Sequence, residues 1–223
     1  HHAAGLGPDA AADPSTSLLS SVLAAVPLLP SDHEAELDAE RLFPALLRDI
    51  HGEQLDLRQT TSWTQTIEDV PLLELMEVLV VNAVAPFLLN ARLLPLLTAA
   101  AGAPEGVGGA FVVNVTSQEG VFAVRAGQAK GPEHPHTNMG KAALNMLTRT
   151  LAGDLAPRGV FVTAVDPGWV SQMRPNPRVL PPLSEADGAA RVLDPVLTGL
   201  ESLRRGDTPA HGVLFRNFEV ADW

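Results

Sequence analysis

The apolar positions along the chain change their period several times, and each change marks an element. Residues 1–16 are rich in Ala, Gly, Pro and Asp and read as a loose tail. "LLSSVLAAVPLLP" (17–29) is apolar and predicts a short helix cut by Pro27, and 31–42 carries acidic charge with Leu at helical spacing, as in a surface helix. "EQLDLRQTTSW" (53–63) reads as a short strand running into a turn. Thr64 to Asp69 reads as a helix entry, with Pro71 suited to a first helical turn. A long apolar stretch follows over 72–101, where Leu72, Leu75, Met76 and Leu79 keep helical spacing. Asn82 interrupts it with a polar group, and Pro86 predicts a bend just after it.

"APEGVGG" (103–109) is a turn, and "AFVVNV" (110–115) is a β-branched run of the kind buried on both faces. An irregular segment to Pro135 leads to a helix over 137–156, with Ala143, Leu147 and Leu151 as its apolar row. "VFVTAV" (160–165) is a second buried-type strand, 166–184 is a proline-rich loop, and 185–203 is a helix with Ser184 as N-cap and Asp187 three residues on. "HGVLFRNF" (211–218) is a third strand. Helices alternating with strands predict an α/β fold, with a Rossmann-like parallel sheet flanked by helices.

Composition narrows the function. The 223 residues are enough for one sizeable domain, and a net charge of −11 argues against nucleic acid and against an anionic membrane surface as partners. The chain has no cysteine, which excludes disulfides, thiolate metal sites and a Cys nucleophile. No 18-residue apolar run is free of Pro or polar residues, so no membrane-spanning helix is expected. The first residues lack the pattern of a signal peptide, and a cytoplasmic location is expected. His1 and His2 are assigned no function. His134 and His136 with Glu133 have spacing that arises readily by chance and no third ligand, so no metal site is expected.

Four stretches occur together and in order: "VVNAVAPFLLNARLLPLL", "AFVVNVTSQEG", "NMGKAALNMLTRTLAGDLAPRGVFVTAVDPGWV", and a closing helix and strand. From about Glu68 onward the chain resembles the C-terminal half of a short-chain dehydrogenase/reductase. It is similar in particular to an outlying subgroup marked by "LDLRQTTSW" (55–63), "HPHTNMGKAALNM" (134–146), "DPGWV" (166–170) and Asp222-Trp223. The resemblance implies two parts, an accessory segment over 1–66 and the C-terminal half of a Rossmann-like domain over 67–223.

The N-terminal dinucleotide-binding half is lacking. T-G-x-x-x-G-x-G occurs nowhere in the chain, and "GLGPDAA" (5–11) has no strand before it. The missing part is expected on another polypeptide, or lost from the sequence, or replaced at the sheet edge by residues 1–66. A homo-oligomer, or a complex with a chain carrying the nucleotide-binding half, is the expected assembly.

In such enzymes a Tyr is the general acid/base, a Lys one helical turn later lowers its pKa and binds the nicotinamide ribose, a Ser holds the substrate oxygen and an Asn anchors a relay water. The resemblance assigns these last three roles to Lys141, Ser117 and Asn82, and it places Pro167 and Gly168 beside the nicotinamide with Ser171 or Gln172 near its carboxamide. Thr137 stands at the tyrosine position, and the chain contains no tyrosine at all. A threonine hydroxyl titrates far above the value of about 10 for tyrosine and cannot exchange protons usefully near neutrality. His136 has a suitable intrinsic pKa, but it reaches the same site only if the helix begins after it.

The implied function is an oxidoreductase using NAD or NADP on a small carbonyl or alcohol. Two alternatives stand beside it: an inactive scaffold or regulatory subunit, and a redox-neutral lyase or cyclase.

Overall fold

The computed structural model describes residues 38–48, 52, 54–122, 130–171 and 181–223. The helix expected over 17–29 and most of that over 31–42 lie outside them. The chain divides into His1–Ala39 and Glu40–Trp223, and the second unit holds every strand described.

Its sheet has the order β1-β2-β3-β4, with β1 Ala110–Val115, β2 Val160–Asp166, β3 Leu214–Arg216 and β4 Glu219–Ala221. The first three run parallel, Val112 opposite Val162 and Val165 opposite Phe215, and β4 returns antiparallel to β3. The third strand expected over 211–218 is therefore a short strand and the first half of a hairpin. Its turn residues Asn217 and Phe218 both have left-handed φ, 50° and 68°, as a two-residue hairpin loop requires. Phe218 carries a side chain that resists this conformation. Arg191 compensates: its guanidinium lies 5.0 Å over the Phe218 ring and its Nε donates to Asn217 Oδ1.

Helix α1 is Ala39–Leu42. Among the described residues of the strand expected within 53–63, Gln54 makes one isolated bridge, to Arg48, and the chain then turns. Asp69 caps Thr66 through both its amide and its hydroxyl, so the chain turns there, and α2 starts only at Leu72.

Helix α2 (Leu72–Leu79) runs through a π-helical segment, Val80–Val84, into α3 (Ala85–Ala101). The expected bend at Pro86 takes this form: a proline clashes with the carbonyl four residues back, and the wider turn just before it, where the Ala85 amide bonds to Val80 O, makes room. The helical path thus continues through the prolines. Leu72–Ala101 is long and apolar enough to cross a membrane by length and composition alone, with an 18-residue window of mean hydropathy 2.0. Its apolar row is not a core face: Leu72, Val81 and Leu96 are 73%, 61% and 68% exposed, and the buried residues of α2 and α3 are Glu74 and Ala101.

Helix α4 is Pro135–Leu155 and α5 is Glu185–Arg205. The predicted reciprocal cap of α5 is present, Ser184 Oγ accepting from the Asp187 amide and Asp187 Oδ2 from the Ser184 amide. The strand alternation sorts the two sheet faces. Val160 and Val162 pack with Ala152 and Leu155 of α4, with Leu94 and Leu97 of α3 against them. Phe111 and Phe161 point the other way, ring centroids 5.7 Å apart, under α5, where Gly199 leaves room for the Phe111 ring.

The buried row of α4 is His136, Gly140, Leu144, Thr148, Ala152 and Leu155, not the expected Ala143, Leu147 and Leu151. Small residues let the helix lie close to the sheet, and Thr148 is satisfied internally: Asn114 Nδ2 donates to Thr148 Oγ1, which donates to Leu144 O.

Candidate active site

The assigned residues collect around the carboxyl ends of β1 and β2, where ligands of parallel sheets bind. Two glycines set the geometry. A Cβ at Gly120 would lie 2.6 Å from the Lys141 carbonyl carbon, so the "TSQEG" turn rests directly on the backbone of α4. Asn145 Nδ2 fixes it by donating 3.0 Å to Gly120 O. Ser117 starts that turn, half-buried and two residues after Val115. At Gly140 a Cβ would lie 3.0 Å from Asn82 Cβ, so α4 approaches the π-helical segment closely and brings Asn82 beside the Lys141 turn.

Asn82 and Lys141 line one cavity of about 330 Å³. Leu89 and Leu93 of α3 form its apolar wall, and the outer edge of β1 at Val113 and Val115 forms another side. The volume lies at the small end of the range for ligand sites. Asn82 Nδ2 donates 3.0 Å to Val78 O, leaving its carbonyl oxygen for other partners.

Lys141 Nζ donates 3.1 Å to the carbonyl of Val115. The amides of Ala110 and Thr116 point to β2, so by alternation the peptide groups of Phe111, Val113 and Val115 face the free edge. Lys141 caps one of these edge carbonyls. Burial holds its ammonium below the ordinary lysine pKa, and the Glu119 carboxylate partly opposes this.

Past β2, Asp166 organises the second turn. Its Oδ1 accepts from the Gly168 amide at 2.9 Å and its Oδ2 from Arg216 Nε at 3.0 Å. Gly168 has φ 81°, a conformation that L side chains resist, and a Cβ there would also meet Leu183 at 2.6 Å. Pro167 is half-buried and Ser171 exposed, its carbonyl accepting from Trp169 Nε1. Gln172 lies outside the described residues.

Thr137 is half-buried one turn before Lys141 on α4. His136 does not join it. The helix begins at Pro135, before the histidine, so successive side chains diverge by about 100°. The imidazole is 1% exposed and faces Glu74 of α2, with Nε2 3.4 Å from Oε1. Sequence reasoning missed this pair and the Asp166–Arg216 pair. The available signal for the first was a lone carboxylate in an apolar helix.

The family model for short chain dehydrogenase matches residues 58–177. The chain is 32% identical over 190 residues to the rhamnolipids biosynthesis 3-oxoacyl-[acyl-carrier-protein] reductase of Pseudomonas aeruginosa, covering 82% of this chain and 68% of that protein. It is 31% identical over 159 residues to an uncharacterized protein of Acanthamoeba polyphaga mimivirus, covering 66% of this chain and 32% of the relative. Among solved structures, an NADPH-bound carbonyl reductase from chicken fatty liver is similar with a TM-score of 0.57 and 25% identity, over 72% of this chain and 59% of that one. The chain thus spans only about a third to two thirds of the length of these relatives.

Proposed function

The chain belongs to the short-chain dehydrogenase family, and from that premise we propose that it carries the substrate-facing half of an oxidoreductase that interconverts a small carbonyl compound and its alcohol with a nicotinamide cofactor. The observation that carries this reading is the convergence of Asn82 and Lys141 on one cavity, with the turn that begins at Ser117 packed through Gly120 on the Lys141 backbone. The names of the relatives, a 3-oxoacyl reductase and an NADPH-bound carbonyl reductase, support the reaction class.

The residues present fit one end of the dinucleotide. Lys141, a half-buried cation in the cavity wall, suits the hydroxyls of the nicotinamide ribose, and the Gly168 turn with Pro167 and Ser171 suits the nicotinamide ring and its carboxamide. The glycine-rich diphosphate turn is not in the sequence, so that end is assigned to a nucleotide-binding half outside these residues, in the same or another polypeptide. When bound, the nicotinamide supplies or accepts the hydride. Ser117 holds the substrate oxygen, and Lys141 lowers the cost of negative charge there. With Thr137 in place of tyrosine, the proton reaches that oxygen from water relayed past Asn82 and not from a titrating side chain. The missing tyrosine also favours a second reading, a scaffold or regulatory subunit that keeps the fold without the chemistry.

The deciding experiment supplies the nucleotide-binding half and measures carbonyl reduction. Lys141→Ala is expected to lower kcat/KM about tenfold or more, since a charged hydrogen bond contributes roughly 1.5–3 kcal/mol. Thr137→Val removes a neutral one, about 0.5–1.5 kcal/mol, and costs less. Thr137→Tyr restores the acid/base on one helix face with Lys141 and is expected to keep or raise activity. An activity untouched by Lys141→Ala refutes the site.

A further inference from the structure

Two sequence motifs take no part in the chemistry above, "TSW" (61–63) and "HPH" (134–136), and the fold packs one on the other. The Trp63 indole stacks on the His134 imidazole, centroids 4.4 Å apart and planes 5° from parallel. His134 Nδ1 donates to Trp63 O at 3.1 Å, and the His134 amide donates to Gln65 O at 2.7 Å. His134 itself adopts left-handed φ, 44°, which turns the chain into α4.

Beneath this stack lies Glu74, 6% exposed. Its Oε1 accepts from Ser62 Oγ and its Oε2 from Gln65 Nε2 at 3.0 Å. His136 Nε2 faces the same carboxylate at 3.4 Å, and neither imidazole nitrogen makes a hydrogen bond. One carboxylate therefore ties a strap, residues 61–66, to α2 while it faces the first turn of α4.

We propose that Glu74 and His136 form a proton-sensitive latch that clamps strap 61–66 against the start of α4, so that Glu74 and His136 are positioning residues for Thr137 and the Lys141 turn. The proposal rests on the reductase reading only for what the latch positions. Burial disfavours the imidazolium and the Glu74 carboxylate 3.4 Å away favours it, burial being the larger effect. The titratable groups acting on it are Glu74 from α2 and His134 from its own segment, and the strap contributes the neutral Ser62 and Gln65.

Burial pushes the His136 pKa below its ordinary value, Glu74 partly opposes this, and His134 adds to it. In the opened latch the imidazole is hydrated and titrates near about 6.5. The open state thus binds the proton more readily, and acidification below that value favours opening until the pH passes the depressed pKa of the closed state. Within that window the open-to-closed ratio rises about tenfold per pH unit.

Hydrogen exchange of the full 223-residue chain, corrected for the intrinsic pH dependence of exchange, reads this directly between about pH 7 and 5. Residues 61–66 and 134–138 are expected to lose protection as the pH falls, while β2 stays protected. Glu74→Gln removes the charge that favours the imidazolium in the closed latch, so the step keeps its onset and extends to lower pH. His136→Gln abolishes the pH-dependent step and leaves His134 in place. Protection independent of pH in the wild type, or an unchanged step in His136→Gln, overturns the latch. Should a variant lose β2 protection, the wild-type NMR titration decides: His136 must titrate below about 6.5, with the Trp63 indole signal moving in step, and any other result overturns the proposal. No activity enters the measurement, so the latch and the reductase reading fail separately.

Discussion

Substituting Gly120 by alanine tests whether the serine turn and the lysine helix are locked together. A Cβ at this position would lie 2.6, 2.7 and 2.8 Å from the carbonyl carbon, carbonyl oxygen and Cβ of Lys141. None of these is the far end of a flexible side chain, so either the turn or the α4 backbone must move. Overpacking of this kind costs about 1–3 kcal/mol, offset by about 0.4–1 kcal/mol from the reduced freedom of the unfolded chain. A net loss of about 1–2 kcal/mol lowers Tm by about 2–8 °C in a chain of this size.

Gly153, on the same helix, is the control: nothing lies within 4 Å of its added Cβ, and glycine-to-alanine at a helical position gains up to about 0.5–1 kcal/mol. The two substitutions add the same methyl group to glycines near the same helix and are expected to shift Tm in opposite directions in calorimetry or thermal circular dichroism. If Gly120→Ala is as stable as the wild type, the close contact is wrong, and with it the argument that packs the turn beginning at Ser117 on the Lys141 backbone.

Asp166→Ala removes the acceptor of both the Gly168 amide and Arg216 Nε. It leaves a partly buried guanidinium unpaired and is expected to cost about 3 kcal/mol in denaturant unfolding; a loss near zero shows the pair to be solvated. Calorimetric titration of residues 1–223 with NAD(H) or NADP(H) is expected to show weaker than micromolar binding, because the diphosphate turn is missing from the sequence, and a micromolar constant would reveal a nucleotide site elsewhere. Sedimentation is expected to show association through the exposed apolar face of residues 72–101, and a stable monomer at all concentrations contradicts it.

The elements legible in the sequence were those whose hydrophobic period reflects their own burial. The strands at 110–115 and 160–165 are rich in β-branched residues because helices cover both faces. The α5 cap is local chemistry that needs no partner. The family, too, was readable, since ordered motifs carry it. Helix 72–101 was legible as a helix with a bend at Pro86, but not that a π-helical turn takes up the proline clash or how much of its apolar surface is exposed in this chain.

The buried row of α4 was not legible, because it contains His136 and Thr148, which hydropathy assigns to water. Their burial depends on what meets them: Asn114 from a strand 34 residues away for Thr148, and Glu74 from another helix for His136. The same holds for the site. Sequence by itself determined which residue types carry the chemistry and that the tyrosine is missing. Only the tertiary structure decided that His136 turns away from Thr137, that Lys141 caps the edge of β1, and that two glycines bring the turn after β1 and Asn82 close to the Lys141 turn. The reason is physical: a side chain's direction and pKa are set by neighbours that the chain brings together only when it folds.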